Sequence, residues 1–536
     1  MTEPEVPAPE GLLANVWVRA PDAFWSKVQS GASGAIALLP PTVGELACAA
    51  GGLEVRIASM IDGKGTSYGA IAEGEGGGLA WTLALPVTDA FGVAHALTPA
   101  GEGGSAPREV AGFRMVPAGN GGPAVVVALG SRWLMLAGSE ADLRKLGPYV
   151  AGTLPRAAAP SEVAAVVVDV PQSALAGPLS RRLAASWDEG RAWLVARDEE
   201  QRAKHGGRAP DFGDPRVVVD AVDGVVKRRE ALVAGARRAR LTVDASEDDV
   251  HAELVVTPGT DAASAATLAA LHPGTSKPLA DLPGDAVLAV LARDDAAVRA
   301  DDAAALEATV VRALGDRVHA EDTRALHVAL DDWAHGRGDW WAAALGLGTA
   351  DGTRGIWLRA PAADPDVAVR AVREMAELSR RPLVSDVLAG SLHLSPAKIT
   401  AADVPSLGKA SFATFTPLGA TGKTAAASLG LGWGVHDGQL LLAAGPSPAT
   451  LLATEAAPPK RVGDAPRSAK AIASLGETAT FALFARPLAF DAARGGTDAG
   501  AAPATFAVGR RGDDVWARVE LADILLRELL HLEAGL

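Results

Sequence analysis

Short apolar runs that end in charge and lead into a helical pattern recur along the chain. The clearest is GDAVLAVLARDD at Gly284–Asp295. Each run has the length of a buried strand, ends in Arg or Asp, and turns through Pro or Asp toward a helix. The same pattern predicts three further opening strands, at Leu13–Asp22, Val163–Gln172 and Thr478–Pro487.

A second element follows each opening run at a distance, and in it an apolar run passes directly into a helical pattern. Alternation of apolar and polar residues, with turns rich in Gly and Asp, favours antiparallel sheets with helices packed on one face. We therefore predict an α+β fold of four degenerate strand–helix repeats. The closing runs are GLAWTLALPVTDAFGVAHAL, DDVHAELVVTPGTDAASAATLAAL, RGIWLRAPAADPDVAVRAVREM and DDVWARVELADILLRELLHL.

Linkers rich in Pro, Ala and Lys predict domain boundaries between these repeats. Repetition of the order suggests that a two-unit block was duplicated, giving similar halves at Leu13–Leu271 and Gly284–Leu536. The predicted domains are a disordered acidic, Pro-rich tether (1–11), unit A with a hairpin–helix coda (12–153), unit B with a charged helical insertion at about 173–240 (161–271), unit C with a coda (284–454) and unit D (471–536).

Composition narrows the class of protein. Hydrophobic residues make up 49% of the chain, which is ample for packed cores. The net charge of −14 argues against nucleic-acid binding, which needs a basic face. The single cysteine, Cys48, cannot form an intramolecular disulfide and has the apolar neighbours of a buried residue. No apolar run is long enough to predict a transmembrane segment.

The N-terminal sequence MTEPEVPAPEG lacks the basic and apolar regions of a signal peptide, which favours a cytoplasmic location. An acidic, Pro-rich tether equally suits a mature chain that hangs from a membrane anchor and whose leader is missing. The chain combines strand–helix openings such as DAVLAVLARDD with closings such as DVWARVELADILLREL. This combination resembles uncharacterised bacterial envelope proteins of lipoprotein type, which are built from duplicated α+β repeats. The resemblance implies a location in the cell envelope or periplasm and no known activity.

Two short motifs match functional patterns only in part. The segment PLGATGKT (Pro417–Thr424) ends like a P-loop, but Pro417 replaces the first glycine and the Gly-broken segment after it predicts a strand. Ser395–Lys398 matches S-x-x-K without its companion motifs. His319, His327 and His335 lie eight residues apart, so they spiral apart on a helix instead of converging on a metal. We therefore predict no catalytic residue, cofactor or metal site.

Two clusters are candidate binding surfaces. The first is a group of four tryptophans, which form either a platform for a sugar or apolar ligand or part of a core. The basic cluster in the insertion either docks an anionic partner or lipid headgroups, or is a solvated helix face whose arginines favour its C-terminus. The clusters are Trp333, Trp340, Trp341 and Trp357, and Lys227, Arg228, Arg229, Arg237 and Arg238.

These observations favour a non-catalytic binding or scaffold protein that presents repeat surfaces or a cleft to a protein or an apolar small molecule. One alternative is a hydrolase whose site is assembled between repeats, near Ser395 and Lys423. Another is a carrier that holds a hydrophobic small molecule in a cavity lined by the sheet faces.

Overall fold

The computed structural model describes residues 6–31, 39–97, 108–115, 126–157, 164–204, 213–246, 248–347, 354–418, 429–490 and 500–525. The protein is mixed α+β: helix makes up 45% and strand 33% of the described residues, and the strands form antiparallel sheet. The predicted α+β class and antiparallel pairing are confirmed.

The described strands are distributed along the whole chain. They are β1 Leu12–Arg19, β2 Thr66–Glu73, β3 Leu79–Pro86, β4 Arg108–Val110, β5 Phe113–Met115, β6 Val126–Leu129, β7 Trp133–Ala137, β8 Val166–Pro171, β9 Arg238–Ala245, β10 Asp249–Thr257, β11 Ala286–Arg293, β12 Trp340–Gly346, β13 Gly355–Pro361, β14 Lys398–Val404, β15 Gly408–Phe415, β16 Leu429–His436, β17 Gln439–Gly445, β18 Ala479–Ala485, β19 Ala504–Arg511 and β20 Asp514–Ala522.

The α-helices connect these strands. They are α1 Pro21–Gly31, α2 Val43–Gly51, α3 Ala90–Ala96, α4 Glu140–Gly152, α5 Gln172–Ala174, α6 Ser180–Lys204, α7 Pro215–Gly235, α8 Ala262–Ala269, α9 Lys277–Ala280, α10 Ala296–Leu314, α11 Ala320–Gly336, α12 Pro365–Leu378, α13 Pro382–Ser391, α14 Pro448–Ala456 and α15 Pro466–Ser474. Leu175–Leu179 is a π-helix, and short 3₁₀ helices lie at Val55–Met60, Glu75–Gly77, Gly315–Arg317, Val462–Asp464 and Pro487–Phe490.

Local sequence signals account for where several helices begin. The charged residues after β11 include the cap of the next helix. The Asp295 side chain accepts a hydrogen bond from the Val298 N–H (2.8 Å) and so caps α10. Asp364 caps α12 in the same way, and Pro365 occupies its first position, where a missing N–H costs little. Ser139 accepts from the Asp142 N–H (3.1 Å) at the start of α4. Strands β8, β11 and β18 lie within three of the predicted opening runs, and β1 overlaps the fourth but begins one residue earlier, at Leu12.

Contacts divide the chain into two compact units. The first unit comprises Met1–Leu183, Leu232–Ser264 and Trp516–Leu536, and the second comprises Ala184–Ala231 and Ala265–Val515. These units are defined by packing, and the four-unit division by sequence stays a prediction.

The sheet of the first unit is covered by helices on both faces. Its strand order is β4-β5-β6-β7-β3-β2-β1-β8-β9-β10-β20. Helix α4 packs Leu146 against one face, near Met135, and α2 and α3 pack Cys48 and Val93 against the other, near Leu134. The prediction that helices pack on one face only is therefore wrong here. The physical reason is that every residue of β7, WLMLA, is apolar and buried, so both faces need cover.

The sheet of the second unit has the order β14-β15-β16-β17-β13-β12-β11-β18-β19. Helix α12 packs Val372 into a core with Trp433 and Leu440. The indole N–H of Trp357 donates to the carbonyl of Leu451 in α14 (3.1 Å). Trp357 and Leu358 are neighbours in β13 and point to opposite faces. Leu358 pairs with Leu442, which packs against the core of α12, so helices also lie on both sides of this sheet.

Gly336 sets how closely α11 and α12 approach. A Cβ at Gly336 would lie 2.5 Å from the backbone nitrogen of Ala368 and 2.7 Å from its Cα. We expect Gly336→Ala to lower the free energy of unfolding by about 1–3 kcal/mol, because the backbones must separate. Urea unfolding measures the loss. Gly390→Ala is the matched control, since Gly390 lies in α13 with open space around its Cβ position. Equal effects of the two substitutions would contradict this account.

Candidate apolar binding face

Four neighbouring strands of the second unit, β12, β11, β18 and β19, have one buried face and one half-buried face. On β11, for example, Ala289 and Leu291 are buried, whereas Leu288 and Val290 are half-buried. The other three strands show the same alternation. Because successive strand residues point to opposite sides, the half-buried residues share one face of the sheet.

The strand registers align these half-buried residues into three rows, which we call the apolar face. All its side chains are apolar, and the rings of Phe481 and Phe506 meet edge to face with centroids 6.2 Å apart. The neighbouring strand β13 extends it with Leu358 and with Ile356, which is 51% exposed. The first row is Trp341, Ala292, Phe481 and Val508, the second Ala343, Val290, Leu483 and Phe506, and the third Leu345, Leu288, Ala485 and Ala504.

A partly solvated face of an antiparallel sheet ordinarily carries polar side chains, which alternate with the buried apolar ones. Here the half-buried set is apolar as well, so water contacts a continuous hydrocarbon surface. The contiguous apolar surface makes this face the candidate binding site of the second unit. The side chains in its three rows include no acid, base or nucleophile.

The first unit has a similar face on β1, β8, β9 and β10. Its residues are half-buried, apart from Leu254, which is 37% exposed. One row is Val18, Val166, Val243 and Ala252, and the next is Val16, Val168, Leu241 and Leu254.

A charged cluster lies beside the first row of the apolar face, at the next position along the strands on the same side of the sheet. The N–H of Asp294 donates to the carbonyl of Asp339 (3.1 Å), so the pairing of β11 with β12 extends past Ala292 and Trp341. Asp294 stands two residues beyond Ala292, which places it on the same side of the sheet. Its carboxylate accepts hydrogen bonds from two buried guanidinium groups, those of Arg299 and Arg337.

The four predicted tryptophans do not form one platform. Trp340 and Trp341 are consecutive in β12 and therefore point to opposite faces, with Trp341 on the apolar face. Trp357 is 1% exposed and belongs to the opposite, buried side. Trp333 belongs to α11 and packs against the core that α12 forms with the sheet. The guanidinium carbon of Arg337 lies 5.7 Å from the centroid of its ring. Only Trp341 of the four is therefore part of the candidate site.

Several members of the predicted basic cluster have partners inside the protein. The Lys227 ammonium lies 2.8 Å from Asp223, and this contact raises the pKa of Lys227. Arg238 lies 2.6 Å from Asp169, and Arg237 donates to a backbone carbonyl. Arg228 and Arg229 are exposed on α7. A role for this cluster in binding an anionic partner stays a prediction.

The remaining candidates from the sequence are involved in local contacts. The Ser395 hydroxyl accepts a hydrogen bond from the Thr416 N–H (3.0 Å), and Lys423 lies outside the described residues, as does most of the P-loop-like segment. His327 lies 2.8 Å from Glu307, which raises the pKa of His327. Cys48 is buried, and burial raises the pKa of its thiol.

Two further findings apply to the described ranges only. Within them, His, Cys, Asp and Glu side chains nowhere gather in a group of three or more that would hold a metal ion. Among the helices of those same ranges, none has the length and apolar character needed to cross a membrane.

Comparison with protein-family models, with curated proteins and with solved structures found no match to this chain.

Proposed function

We propose that the protein is a non-catalytic binding protein that holds an apolar small molecule against the apolar face of its second unit. The observation that carries this proposal is the face itself, in which three aligned rows across β12, β11, β18 and β19 are apolar and half-buried. Covering such a surface is favourable by roughly 25 cal/mol for each Å² of apolar area removed from water.

The size of the face favours a small molecule over a protein partner. Four strands spaced about 4.8 Å apart span about 14 Å, and three rows of alternate residues span about the same length along the strands. The resulting area of roughly 200 Å² is well below the ~800 Å² that each partner of a stable protein complex buries. It is comparable with one side of a drug-sized or lipid-sized molecule.

The strand order supports duplication of an ancestral half as part of this proposal. In the first unit the order begins β4-β5-β6-β7-β3-β2-β1-β8-β9, and in the second it is β14-β15-β16-β17-β13-β12-β11-β18-β19. Each strand of the second series thus corresponds to the strand ten places earlier. The two apolar faces include corresponding strands, β1, β8 and β9 in one unit and β11, β18 and β19 in the other. Each half would then bind its own ligand.

A location in the cell envelope is also part of the proposal, because an apolar ligand needs a carrier to pass through an aqueous compartment. The repeat pattern of the sequence is the second support for this location. The intact mass of the protein purified from its own source tests it: a lipid-modified or trimmed N-terminus supports an envelope location, and an unmodified one contradicts it.

Leu483→Asp tests the binding face, because it places a carboxylate in the middle row between Val290 and Phe506. We expect the wild-type protein to bind the neutral fluorophore N-phenyl-1-naphthylamine. We expect the variant to bind it at least about tenfold more weakly, since covering an ionised carboxylate with hydrocarbon is strongly unfavourable. A fluorescence titration measures both affinities.

The matched control is Leu392→Asp, which makes the same change at a position of the second unit that is 59% exposed. This control should bind the probe like the wild type, and far-ultraviolet circular dichroism should show that both variants are folded. If the wild type does not bind the probe, or if both variants bind it equally, the proposed function is wrong.

A further inference from the structure

The first row of the apolar face places its smallest side chain between two large aromatic ones. Ala292 of β11 pairs with Trp341 of β12 on one side and with Phe481 of β18 on the other. All three residues are half-buried, so each keeps part of its surface open to water. Side chains of a strand stand roughly perpendicular to the sheet, so an indole and a phenyl ring rise on either side of a methyl group. We call this gap the aromatic slot.

A further aromatic contact supports one wall of the slot. Phe506 lies on β19, which pairs with β18 on the side away from Ala292. The rings of Phe481 and Phe506 meet edge to face, with centroids 6.2 Å apart and planes inclined by 61°. This contact holds Phe481 from the side of β19 and resists collapse of its ring onto Ala292. The slot is therefore a stable feature of the face.

The width of the slot suits one flat ring. Neighbouring strands lie about 4.8 Å apart, so the strands that carry Trp341 and Phe481 are about 9.6 Å apart. A ring that stands over Ala292 is then about 4.8 Å from each wall. Aromatic rings attract one another when their centroids are about 4.5–7 Å apart, in offset-stacked or edge-to-face arrangements. One inserted ring therefore makes an aromatic contact on both sides.

We infer that the ligand of the apolar face carries a flat aromatic ring, which stands over Ala292 between Trp341 and Phe481. This inference rests on the proposed function and names the class of ligand for the same site. The rest of the ligand covers the second row, where Val290 and Leu483 offer aliphatic side chains. A saturated molecule covers the same apolar residues but gains no attraction between rings.

The face of the first unit has a different first row. There Val18 lies between Ser67 and Val166, so a β-branched side chain stands where the second unit has a methyl group. Neither of these neighbours is aromatic. We therefore expect one strong site for an aromatic ligand in each chain, in the second unit.

Two probes with the same fused bicyclic skeleton separate aromatic character from apolar area: 2-naphthalenemethanol and its fully saturated counterpart, decahydro-2-naphthalenemethanol. Isothermal titration calorimetry measures the affinity and the number of sites for each. We expect the wild type to bind the aromatic probe at least about fivefold more tightly than the saturated one, because only the aromatic probe gains contacts with both walls.

Ala292→Leu tests the slot, because the larger side chain fills the space in which the ring stands. It should weaken binding of the aromatic probe at least about tenfold and remove the preference over the saturated probe. Ala485→Leu is the matched control: it makes the same change on the same face, but in the third row, between Leu288 and Ala504. This control should keep the preference for the aromatic probe.

A second variant keeps the test decisive if Ala292→Leu does not fold. Trp341→Leu removes one aromatic wall and keeps an apolar side chain, so it should lower the preference about threefold and leave the affinity for the saturated probe unchanged. The inference is overturned, and the proposed function left intact, if the wild type binds both probes equally or has two equivalent aromatic sites. Equal effects of Ala292→Leu and Ala485→Leu, or an unchanged preference in Trp341→Leu, would overturn it too. If neither probe binds, the proposed function fails together with the inference.

Discussion

Arg359→Met is expected to lower the free energy of unfolding by about 3–5 kcal/mol above pH 7, because it leaves the carboxylate of Glu455 buried without its cation. Glu455 is 0% exposed, and Arg359 is 8% exposed. The Arg359 Nε donates to Glu455 Oε1 (2.7 Å), and Nη2 donates to the backbone carbonyl of Glu455 (3.0 Å). The pair therefore ties helix α14 to strand β13 across the buried side of the second unit's sheet.

Urea unfolding of four proteins tests this pair. Arg359→Met alone should be strongly destabilised, whereas the double variant Arg359→Met/Glu455→Met should recover most of the loss, since apolar residues of similar volume replace a buried ion pair well. Arg191→Met is the surface control: Arg191 lies 2.7 Å from Asp220, the two side chains are 42% and 57% exposed, and such pairs contribute about 0–1 kcal/mol. Equal losses in Arg359→Met and Arg191→Met would contradict the assigned role of the buried pair.

The parts of the fold that could be predicted from the sequence are those that depend on neighbours along the chain. The apolar runs locate strands such as β11 and β18, because burial demands a continuous hydrocarbon surface over the length of a strand. Asp364 and Ser139 could be recognised as helix caps, because a cap bonds backbone N–H groups two or three residues away.

The candidate site could not be predicted in the same way, because its residues meet only through strand pairing. Ala292 lies between Trp341 and Phe481, and each of these belongs to a different predicted element. The signal that was present in the sequence is that β18 and β19 are largely apolar at both odd and even positions, which distinguishes them from half-solvated strands. Density of tryptophan along the chain was a poorer guide, because it grouped Trp340 with Trp341 although adjacent strand residues diverge.

Buried charge was hidden from the sequence for a related reason. Glu455 stands at the end of a helix before a Pro-rich linker, where a glutamate is ordinarily solvated. Its partner Arg359 is 96 residues away along the chain. Only the packing of α14 against β13 brings them together, so no local pattern indicates that either residue is buried.

Stability should fall as the pH rises through about 7, because of Glu455. Burial is the largest influence on this carboxyl and raises its pKa from 4.5 to about 7, although Arg359 offsets part of the effect. A group whose pKa is higher in the folded protein binds its proton more tightly there, so its contribution to stability is fully present below pH 4.5 and is lost above about pH 7. The difference of 2.5 between those two values corresponds to about 3 kcal/mol.

Glu455→Gln isolates this effect from the other titrating groups, because glutamine has nearly the same shape and does not ionise in this range. We expect the free energy of unfolding of the wild type to fall by about 3 kcal/mol more than that of Glu455→Gln between about pH 4 and about pH 8. Urea unfolding at intervals across that range measures both curves. Parallel curves would mean that Glu455 keeps an ordinary carboxyl pKa in the folded protein. Free energies of unfolding that agree at the acidic end and differ above pH 7 would support the raised pKa of Glu455. They would show that the wild type loses stability when it must ionise this buried carboxyl to form the ion pair.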